Sequence, residues 1–409
     1  MGVESIVLPD SIISIEDEAF FQNDRLTRVT LPQGLTVVGR RAFACCAALE
    51  TVELPDTLVS LEAGAFGYCT ALQAVELPDE ITSVRSRVFT CCTRLREVSF
   101  GAGLESISLD AFELCTELER ITVSDENPNF KSVNDGKFLL TKTGETLVLG
   151  GVDGKIPDGV KTIADGAFLG RTGLKEIIFP DGLERIGENA FMECAGLTEL
   201  KLHRGLKEIG DRAFCDCLGL FNIRIPDGVV SLGRFAFTAM SLNEIGSAGA
   251  SYCYAPLTLT IPDSVQIADA LVLQRTGSVV IYTAHASKPS GWLTNVDVVI
   301  WGCELAFDDD GLPYVVSVPN AFVDGADKFR MHDRDGWKMV GWAAEKGGSA
   351  VFGASAGTEK FVPCNVATLE KYYLYEKIYC FTYHMPTEDR LRASEMGIQR
   401  LYAVWEKTN

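Results

Sequence analysis

The stretch AFACCAALETVELPDTLVSLEAGAFGYC, residues 42–69, begins and ends on almost the same phrase. Phe43 returns as Phe66, and Cys46, three residues after the first phenylalanine, returns as Cys69, three residues after the second. An aromatic residue and a thiol therefore recur at a spacing of 23 residues, which indicates a structural repeat.

The same phenylalanine marks the N-terminal half of the chain. It recurs every 23 residues within two blocks, as Phe20, Phe43, Phe66, Phe89 and Phe112, and then as Phe168, Phe191, Phe214 and Phe237. Prolines keep the same spacing, at Pro9, Pro32, Pro55, Pro78, Pro157, Pro180 and Pro226, with Gly101 and His203 standing where a proline is missing. A period between about 20 and 50 residues is typical of solenoids, in which stacked coils share one core.

Eight positions of each coil are apolar or small, and we predict that they face inward. They are the residue before the proline, the third and sixth residues after it, and the positions that carry Ala, Phe, Cys, Leu and Val. A single coil buries too little apolar surface to offset the entropy lost when it becomes ordered. The coils are therefore expected to fold by stacking on their neighbours.

One segment of every coil alternates apolar and polar residues as a short strand does. The run Leu26-x-x-Val29-x-Leu31 is repeated 23 residues later and again after that. Identical strands stacked coil on coil give a parallel sheet that advances about 4.8 Å per strand. Two strand positions per coil are expected to point outward from this sheet.

The full pattern P-x-x-L-x-x-I-x-x-x-A-F-x-x-C-x-x-L-x-x-V-x-L resembles the BspA-like leucine-rich repeat family of bacterial surface proteins. The resemblance covers about residues 3–245, and a closing segment extends it to about residue 302. Val88 departs from the alanine of the pattern, and Arg171 and Met240 depart from its cysteine. The resemblance implies a β-rich solenoid, a secreted or surface-displayed protein and a binding role without catalysis.

Thirteen cysteines are present, and six of them occupy one inward column of the repeat. These six are Cys46, Cys69, Cys92, Cys115, Cys194 and Cys217. A free cysteine in such a column behaves as a small buried apolar residue. Adjacent coils also bring two Cα atoms into disulfide range, so bridges between coils stay open as an alternative. A zinc site is not expected, because the cysteines lack a paired C-x-x-C arrangement.

The array contains one insertion, at about residues 124–155. The sequence SDENPNFKSVNDGKFLLTKTGETLVLGG (124–151) predicts a β-hairpin, because KFLLT and TLVLG flank a turn that contains Gly144. The insertion either forms a contact loop on the rim or lengthens a coil and keeps the sheet continuous.

The C-terminal part has a different composition. We predict a closing cap at about 250–302, which completes a solenoid of residues 1–302, and a small β domain at 303–409. RDGWKMVGWAAEKGGSAV (334–351) and LYAVWEK (401–407) resemble the two ends of the Listeria–Bacteroides repeat, the internalin B-type repeat, over about residues 330–407.

Composition and motifs narrow the function. A net charge of −19 and a pI near 4.7 argue against nucleic acid and anionic membranes as partners, and no apolar run is long enough to cross a membrane. Four scattered histidines and the lack of a catalytic motif predict no enzyme and no cofactor. Because the sequence begins within a repeat, we expect that a signal peptide or upstream repeats were removed. The expected location is extracellular or on the cell surface.

An alternative site for a glycan or an enzymatic reaction lies in the C-terminal domain. Tyr379, Phe381 and Tyr383 alternate on one face of a predicted strand, and Asp308–Asp310 form an acidic turn. A pocket that gathers Tyr379, Tyr383 and Asp309 favours this alternative, whereas core packing and a solvated turn are the plainer interpretation.

The outward positions of the repeat sheet are the main candidate binding residues. They are charged or polar and include Arg28, Glu53, Glu76, Glu97, Arg120, Glu176, Glu199, Lys201 and Arg224. Repetition creates an extended surface, and the absence of aromatic residues favours a protein ligand over a glycan. We predict a host or matrix protein as partner and a monomeric chain; a structural spacer is the remaining alternative.

Overall fold

The computed structural model describes residues 3–152, 154–220 and 222–238. It also describes ten shorter segments: 257–265, 267–268, 279–285, 298–301, 304–307, 313–317, 322–324, 337–343, 352–353 and 402–407. The chain divides into two compact units. The first unit comprises Met1–Leu200 with Ile209–Gly219, and the second comprises Lys201–Glu208 with Leu220–Asn409.

The described residues of the first unit form short strands joined by turns, without a helix. Before the insertion the strands are β1 (Ser5–Val7), β2 (Ser14–Ile15), β3 (Arg28–Thr30), β4 (Val37–Val38), β5 (Thr51–Val52), β6 (Ser60–Leu61), β7 (Ala74–Leu77), β8 (Ser83–Val84), β9 (Glu97–Phe100), β10 (Ser106–Ile107) and β11 (Arg120–Val123). From the insertion onward they are β12 (Phe130–Val133), β13 (Phe138–Thr141), β14 (Thr146–Gly150), β15 (Gly154–Lys155), β16 (Thr162–Ile163), β17 (Ile177–Ile178) and β18 (Arg185–Ile186). The short strand β19 (Glu208–Ile209) lies at the boundary of the two units.

Each coil contributes one strand to each of two faces. On the first face, β1-β3-β5-β7-β9-β11 form a six-stranded sheet in which all pairs are parallel. On the other face, which we call the short-strand face, β2-β4-β6 form one parallel sheet and β8-β10 form another. The register joins residues 23 positions apart, as in the pair of Val75 with Val98. The prediction of a parallel-sheet solenoid with coils of about 23 residues is therefore confirmed.

The phenylalanines form a continuous stack in the core. The ring centroids of successive coils lie 4.9, 5.2, 5.9 and 5.4 Å apart from Phe20 to Phe112. After the insertion the stack resumes, with 4.7 Å between Phe168 and Phe191 and 5.1 Å from there to Phe214. The rings at the centre of the array are fully buried. Residues of one sequence column are therefore neighbours in space, as the constant period requires.

The corner around each phenylalanine uses left-handed backbone conformations. Arg41 (φ 52°) and Cys45 (φ 62°) flank Phe43, and the corresponding positions of other coils repeat this pattern. The amides of Arg41, Phe43 and Cys45 donate hydrogen bonds to carbonyls of the next coil over 2.8 to 3.1 Å. A left-handed residue other than glycine costs about 1–2 kcal/mol, and these bonds between coils offset that cost. Glycine occupies three of the equivalent positions, Gly64, Gly166 and Gly170.

The insertion forms the predicted hairpin. β12, β13 and β14 pair antiparallel, and β14 then pairs parallel with β16, so the hairpin joins the short-strand face. The side chain of Asn127, which is fully buried, anchors its start. Asn127 Nδ2 donates to three carbonyls of the preceding coil, and Oδ1 accepts the N–H groups of Asn129 and Phe130 at 2.8 Å.

The second unit is also built from strands in its described residues. They are β20 (Asn222–Arg224), β21 (Ser231–Leu232), β22 (Leu257–Ile261), β23 (Ile267–Ala268), β24 (Val279–Thr283), β25 (Val298–Trp301), β26 (Glu304–Phe307), β27 (Pro313–Ser317), β28 (Phe322–Asp324), β29 (Trp337–Ala343), β30 (Phe352–Gly353) and β31 (Tyr402–Lys407). Parallel pairing joins β20-β22-β24-β25, and β28 adds antiparallel to β25.

Two sequence segments of the C-terminal part meet in the second unit. β29 belongs to the segment 334–351 and β31 to the segment 401–407, and the two strands pair antiparallel. This pairing agrees with the idea that the two segments are the ends of one small β module. The boundary between residues 302 and 303 stays a prediction.

Candidate functional site

The outward face of the six-stranded sheet is the candidate binding surface, and we call it the wall. Side chains alternate along its strands: Ala74 and Glu76 of β7 are exposed, whereas Val75 and Leu77 are buried. Because parallel strands in register place equivalent residues side by side, exposed positions form rows across the wall.

The structure brings five of the predicted residues together on the wall. Arg28, Glu97 and Arg120 begin β3, β9 and β11, and the register places Glu97 beside Arg120. Glu76 lies within β7, and Glu53 follows β5 directly. Glu97 is half-buried and the other four side chains are exposed.

One ion pair crosses the wall. Arg120 Nη1 lies 3.4 Å from Glu97 Oε1, and both side chains remain roughly half exposed to solvent. An exposed pair of this kind stabilises a fold by less than about 1 kcal/mol. Its main effect is to neutralise charge at the β9–β11 end of the wall.

A third exposed row was not among the predicted outward positions. It consists of the residues just before each wall strand or at its start: Thr27, Glu50, Gln73, Arg96 and Glu119, all of which are exposed. The signal for this row was present in the spacing L-x-x-V, because two residues separate the apolar positions and both point outward. Arg96 is engaged by Glu117, with 2.9 Å between Nη2 and Oε2.

Unpaired acidic side chains concentrate on the middle strands of the wall. Glu50, Glu53 and Glu76, which we call the acidic patch, are all exposed, and no cation lies within ion-pair distance of them in the described part of the chain. Glu53 and Glu76 occupy the same position of neighbouring coils. Unpaired like charges on a rigid sheet produce a local negative potential, which favours a positively charged partner.

The other four predicted residues lie elsewhere. Glu176 and Glu199 are exposed residues of the first unit on the far side of the insertion, whereas Lys201 and Arg224 belong to the second unit. The sheet of the wall ends at β11, because the turn of the insertion occupies its edge. There, Ile121 N donates to the carbonyl of Gly136 over 2.6 Å. Five of the nine predicted residues therefore lie in the six-stranded sheet or directly after one of its strands, and the other four lie outside it.

The cysteine column is part of the core. Each of its six thiols is buried and donates a hydrogen bond to the carbonyl of the phenylalanine in the preceding coil, over 3.0 to 3.2 Å. The nine cysteines within the described residues are free thiols. The packing interpretation of the column therefore holds, and bridges between coils are not formed.

Burial keeps these thiols protonated. Desolvation raises the pKa of Cys46 to about 11 and the pKa values of Cys115 and Cys194 to about 12. Only the thiolate is a good nucleophile or metal ligand. The column is therefore chemically inert near neutral pH.

A buried arginine replaces the thiol where the array resumes after the insertion. Arg171 is 1% exposed, and its guanidinium donates to the carbonyls of Phe112, Gly150 and Leu169 over 2.7 to 3.1 Å. Desolvation lowers its pKa, although the neighbouring Cys115 and Cys194 act in the opposite direction. The longer side chain connects the last regular coil, the hairpin and its own coil.

The described residues provide little evidence for other kinds of site. Across them, no three histidine, cysteine or acidic side chains converge in a way that could hold a metal ion. No helix in the same residues has the length and apolar character of a membrane span. Asp308–Asp310, Tyr379, Phe381 and Tyr383, the candidates of the C-terminal alternative, lie outside the described residues.

Comparison with known proteins identifies the repeat. A family model described as "BspA type Leucine rich repeat region" matches in six copies over residues 2–141 and 153–250. No curated protein matches the chain.

Several solved structures resemble the chain. One is a leucine-rich cell surface protein from Faecalibacterium prausnitzii, with 25% identity, a TM-score of 0.47, and coverage of 68% of this chain and 80% of that one. Another is the pneumococcal vaccine antigen PcpA, with 21% identity, a TM-score of 0.48 and coverage of 68% of each chain. A third is a leucine-rich repeat protein from Eubacterium ventriosum, with 20% identity, a TM-score of 0.36, and coverage of 57% of this chain and 82% of that one. With its 23-residue coils and the six copies of the family repeat, the chain belongs to the BspA-type leucine-rich repeat family.

Proposed function

We propose that this chain is a non-enzymatic, surface-displayed or secreted binding module that recognises a protein through the wall of its first unit. The observation that carries the proposal is the acidic patch, in which three exposed carboxylates have no ion-pair partner among the described residues. The patch lies on strands β5 and β7 or directly beside them, and both strands are paired at each edge with a neighbouring strand of the parallel sheet. The extracellular location rests on the resemblance to bacterial surface proteins.

The physical basis of recognition is a rigid, extended surface with unbalanced charge. A preformed sheet loses little conformational entropy when a partner binds, and long-range attraction raises the association rate of an oppositely charged partner. The wall carries no aromatic residue in its outward rows, so a flat protein surface with lysine and arginine side chains suits it better than a sugar ring. The binding should weaken as salt concentration rises, because exposed charges are screened.

Reversal of charge at the acidic patch tests the proposal. The full chain is presented to immobilised host matrix proteins, such as fibronectin, laminin and collagen, as wild type and as the triple variant Glu50→Lys, Glu53→Lys and Glu76→Lys. We expect the wild type to bind at least one of these proteins and the triple variant to lose at least tenfold in affinity, mainly through slower association.

A matched control has the same charge change away from the wall. Asp56, Glu80 and Glu105 are exposed acidic residues of the same or following coils that lie outside the wall rows, and their replacement by lysine should leave binding within about twofold. Equal losses in both triple variants would assign binding to net charge alone and refute a specific wall site. Capture of no matrix protein by the wild type would favour the spacer function.

A further inference from the structure

One boundary between coils differs from the others on the short-strand face. At the described boundaries of the first unit, the residue four positions before the corner phenylalanine donates its N–H to a carbonyl of the preceding coil. These bonds run from Gly39 to Ile15, from Glu62 to Val38, from Ser108 to Val84, from Ala164 to Leu147, from Gly187 to Ile163 and from Gly210 to Ile186, over 2.8 to 2.9 Å. Arg85 is the exception within the described residues of the first unit, because its N–H makes no bond to Leu61.

The neighbouring bond is absent at the same boundary. Elsewhere the fourth residue after the proline also donates to the preceding coil, as Val59 does to Thr36 and Glu105 does to Thr82, each over 2.8 to 2.9 Å. In the described structure Thr82 has no such bond to Val59. The short-strand face is therefore interrupted between β6 and β8, in addition to its interruption at the insertion, where β10 and β12 belong to different sheets. We call this boundary the seam.

The seam is open on one side only. The rings of Phe66 and Phe89, which flank it, are 5.9 Å apart, the widest spacing in the stack. At the corner, however, Phe66 N still donates to the carbonyl of Val88 over 2.9 Å, and on the wall β7 and β9 pair in full register. The two coils are thus joined at the wall and corner and separated at the short strands.

Val88 provides a physical cause for the opening. The position before the corner phenylalanine is alanine in the other coils, as Ala65 and Ala111 on either side show, and Val88 is fully buried in this column. Two additional methyl groups in a column of alanines overpack the core, and a packed core responds by shifting backbone. Val88 therefore acts as a wedge at the seam.

A depression lies over the seam. It has a volume of about 600 Å³ and is lined by residues from both sides, including Arg40, Glu62, Ser83, Arg85 and Ser106. The hydroxyl groups of Ser83 and Ser106 and the guanidinium of Arg40 have no hydrogen-bond or ion-pair partner among the described residues. Together with the open N–H of Arg85, they make the depression rich in donors.

The carboxylate of Glu62, the one acidic side chain in the described lining, is already engaged. Glu62 Oε1 accepts the hydroxyl of Ser60 at 2.8 Å, and Glu62 Oε2 lies 3.6 Å from Arg85 Nη1. The unpaired guanidinium of Arg40 therefore favours a ligand that brings an anionic group. Ala63 and Ile107, which are partly exposed, add apolar atoms to the lining.

We infer that the seam is a second binding site, held open by Val88, for an acidic sugar unit that carries a carboxylate. A sugar acid matches the lining, because its carboxylate fits the guanidinium of Arg40, its hydroxyl groups fit the serines, and its C–H groups can contact Ala63 and Ile107. The volume lies in the range of small-ligand pockets, about 300–1,000 Å³, and is far larger than a simple anion needs. This site is on the short-strand face and does not depend on the wall.

Ligand-observed NMR with the full chain tests the binding. Glucuronate and N-acetylneuraminate serve as the acidic probes, and glucose and N-acetylglucosamine as the neutral ones. We expect both acids, or one of them, to bind with a dissociation constant on the order of 1 mM, and the neutral sugars to bind at least tenfold more weakly. Absence of binding by both acids, or equal binding of a neutral sugar, would overturn the assignment.

Two variants separate the wedge from the ligand contacts. Val88→Ala alters no lining residue, yet we expect it to close the seam, to slow hydrogen exchange at the amides of Thr82 and Arg85, and to weaken sugar binding at least tenfold. Arg40→Gln should weaken binding without slowing exchange. Val7→Ala, which makes the same chemical change at an exposed site on β1, should leave both measurements unchanged. Unchanged exchange and binding in Val88→Ala would refute the role of the wedge.

Discussion

The buried thiols predict that the array loses stability steeply above about pH 9. In the folded chain, desolvation by burial raises the pKa values of all six thiols of the cysteine column above the ordinary value of 9.0. In the unfolded chain the thiols release their protons near that ordinary value. The unfolded state therefore binds fewer protons above pH 9, and the free energy of unfolding falls as pH rises toward the folded pKa values. Below pH 9 this contribution is constant.

The size of the effect follows from the number of thiols. At a pH one unit above the pKa of a thiol in the unfolded chain, ionisation of that thiol stabilises the unfolded state by about 1–2 kcal/mol. Six thiols together therefore lower the free energy of unfolding by roughly 8 kcal/mol at about pH 10. A domain has only about 5–15 kcal/mol of stability. The thiol column alone is thus able to cause most of an alkaline unfolding transition.

Urea unfolding followed by circular dichroism, under reducing conditions between about pH 8 and pH 10, measures this slope. The double variant Cys69→Ala and Cys92→Ala should lose two of the six thiol contributions to the pH slope. The control Val75→Ala and Val98→Ala also removes buried atoms, so it should lower stability at every pH without changing the slope. If the cysteine variant kept the wild-type slope, the linkage between burial and proton binding would be wrong.

Three further experiments test the packing, each by urea unfolding. Phe66→Ala removes a fully buried ring with stacking partners on both sides and should lower the free energy of unfolding by about 5 kcal/mol. Phe20→Ala removes a partly buried end ring with one stacking partner and should lower it by about half as much. Equal losses would contradict the stack. Gly170→Ala places a Cβ atom 2.3 Å from a backbone nitrogen of the preceding coil and should lower the free energy of unfolding by more than about 3 kcal/mol. Gly64→Ala, at a similar φ, places its Cβ atom 3.2 Å from a flexible side chain and should lower it by less than about 2 kcal/mol. The reverse order would show that the corners do not stack this tightly. Asn127→Ala removes the polar anchor of the hairpin and should cost about 3–5 kcal/mol, and a loss below about 1 kcal/mol would show that the hairpin docks without it.

Much of the architecture was readable from one spacing. Because the period is constant, Phe43 and Phe66 had to be neighbours in adjacent coils, and the same holds for Cys46 and Cys69. The parallel sheet, the inward columns and the packing role of the thiols follow from that single fact, since every coil repeats the same local environment.

The candidate site was only partly predictable. The sequence indicated which strand positions point outward, and Arg28, Glu53 and Glu76 are exposed as expected. It did not indicate that Glu50 shares the acidic patch or that Arg120 is neutralised by Glu97, because ion pairing depends on rotamers and register between coils.

Sequence alone therefore determined the repeat, the core columns and the polar character of the wall, which are properties of a single coil copied many times. The tertiary structure decided where neighbouring coils differ from the regular pattern. The hairpin ends the sheet of the wall at β11, Arg171 hydrogen-bonds to the last coil before the insertion, and two coils separate at the seam beside Val88. The physical reason is that stacking sums small differences in size and hydrogen bonding between neighbouring coils. Such differences have no effect within one repeat and appear only when two unlike repeats meet.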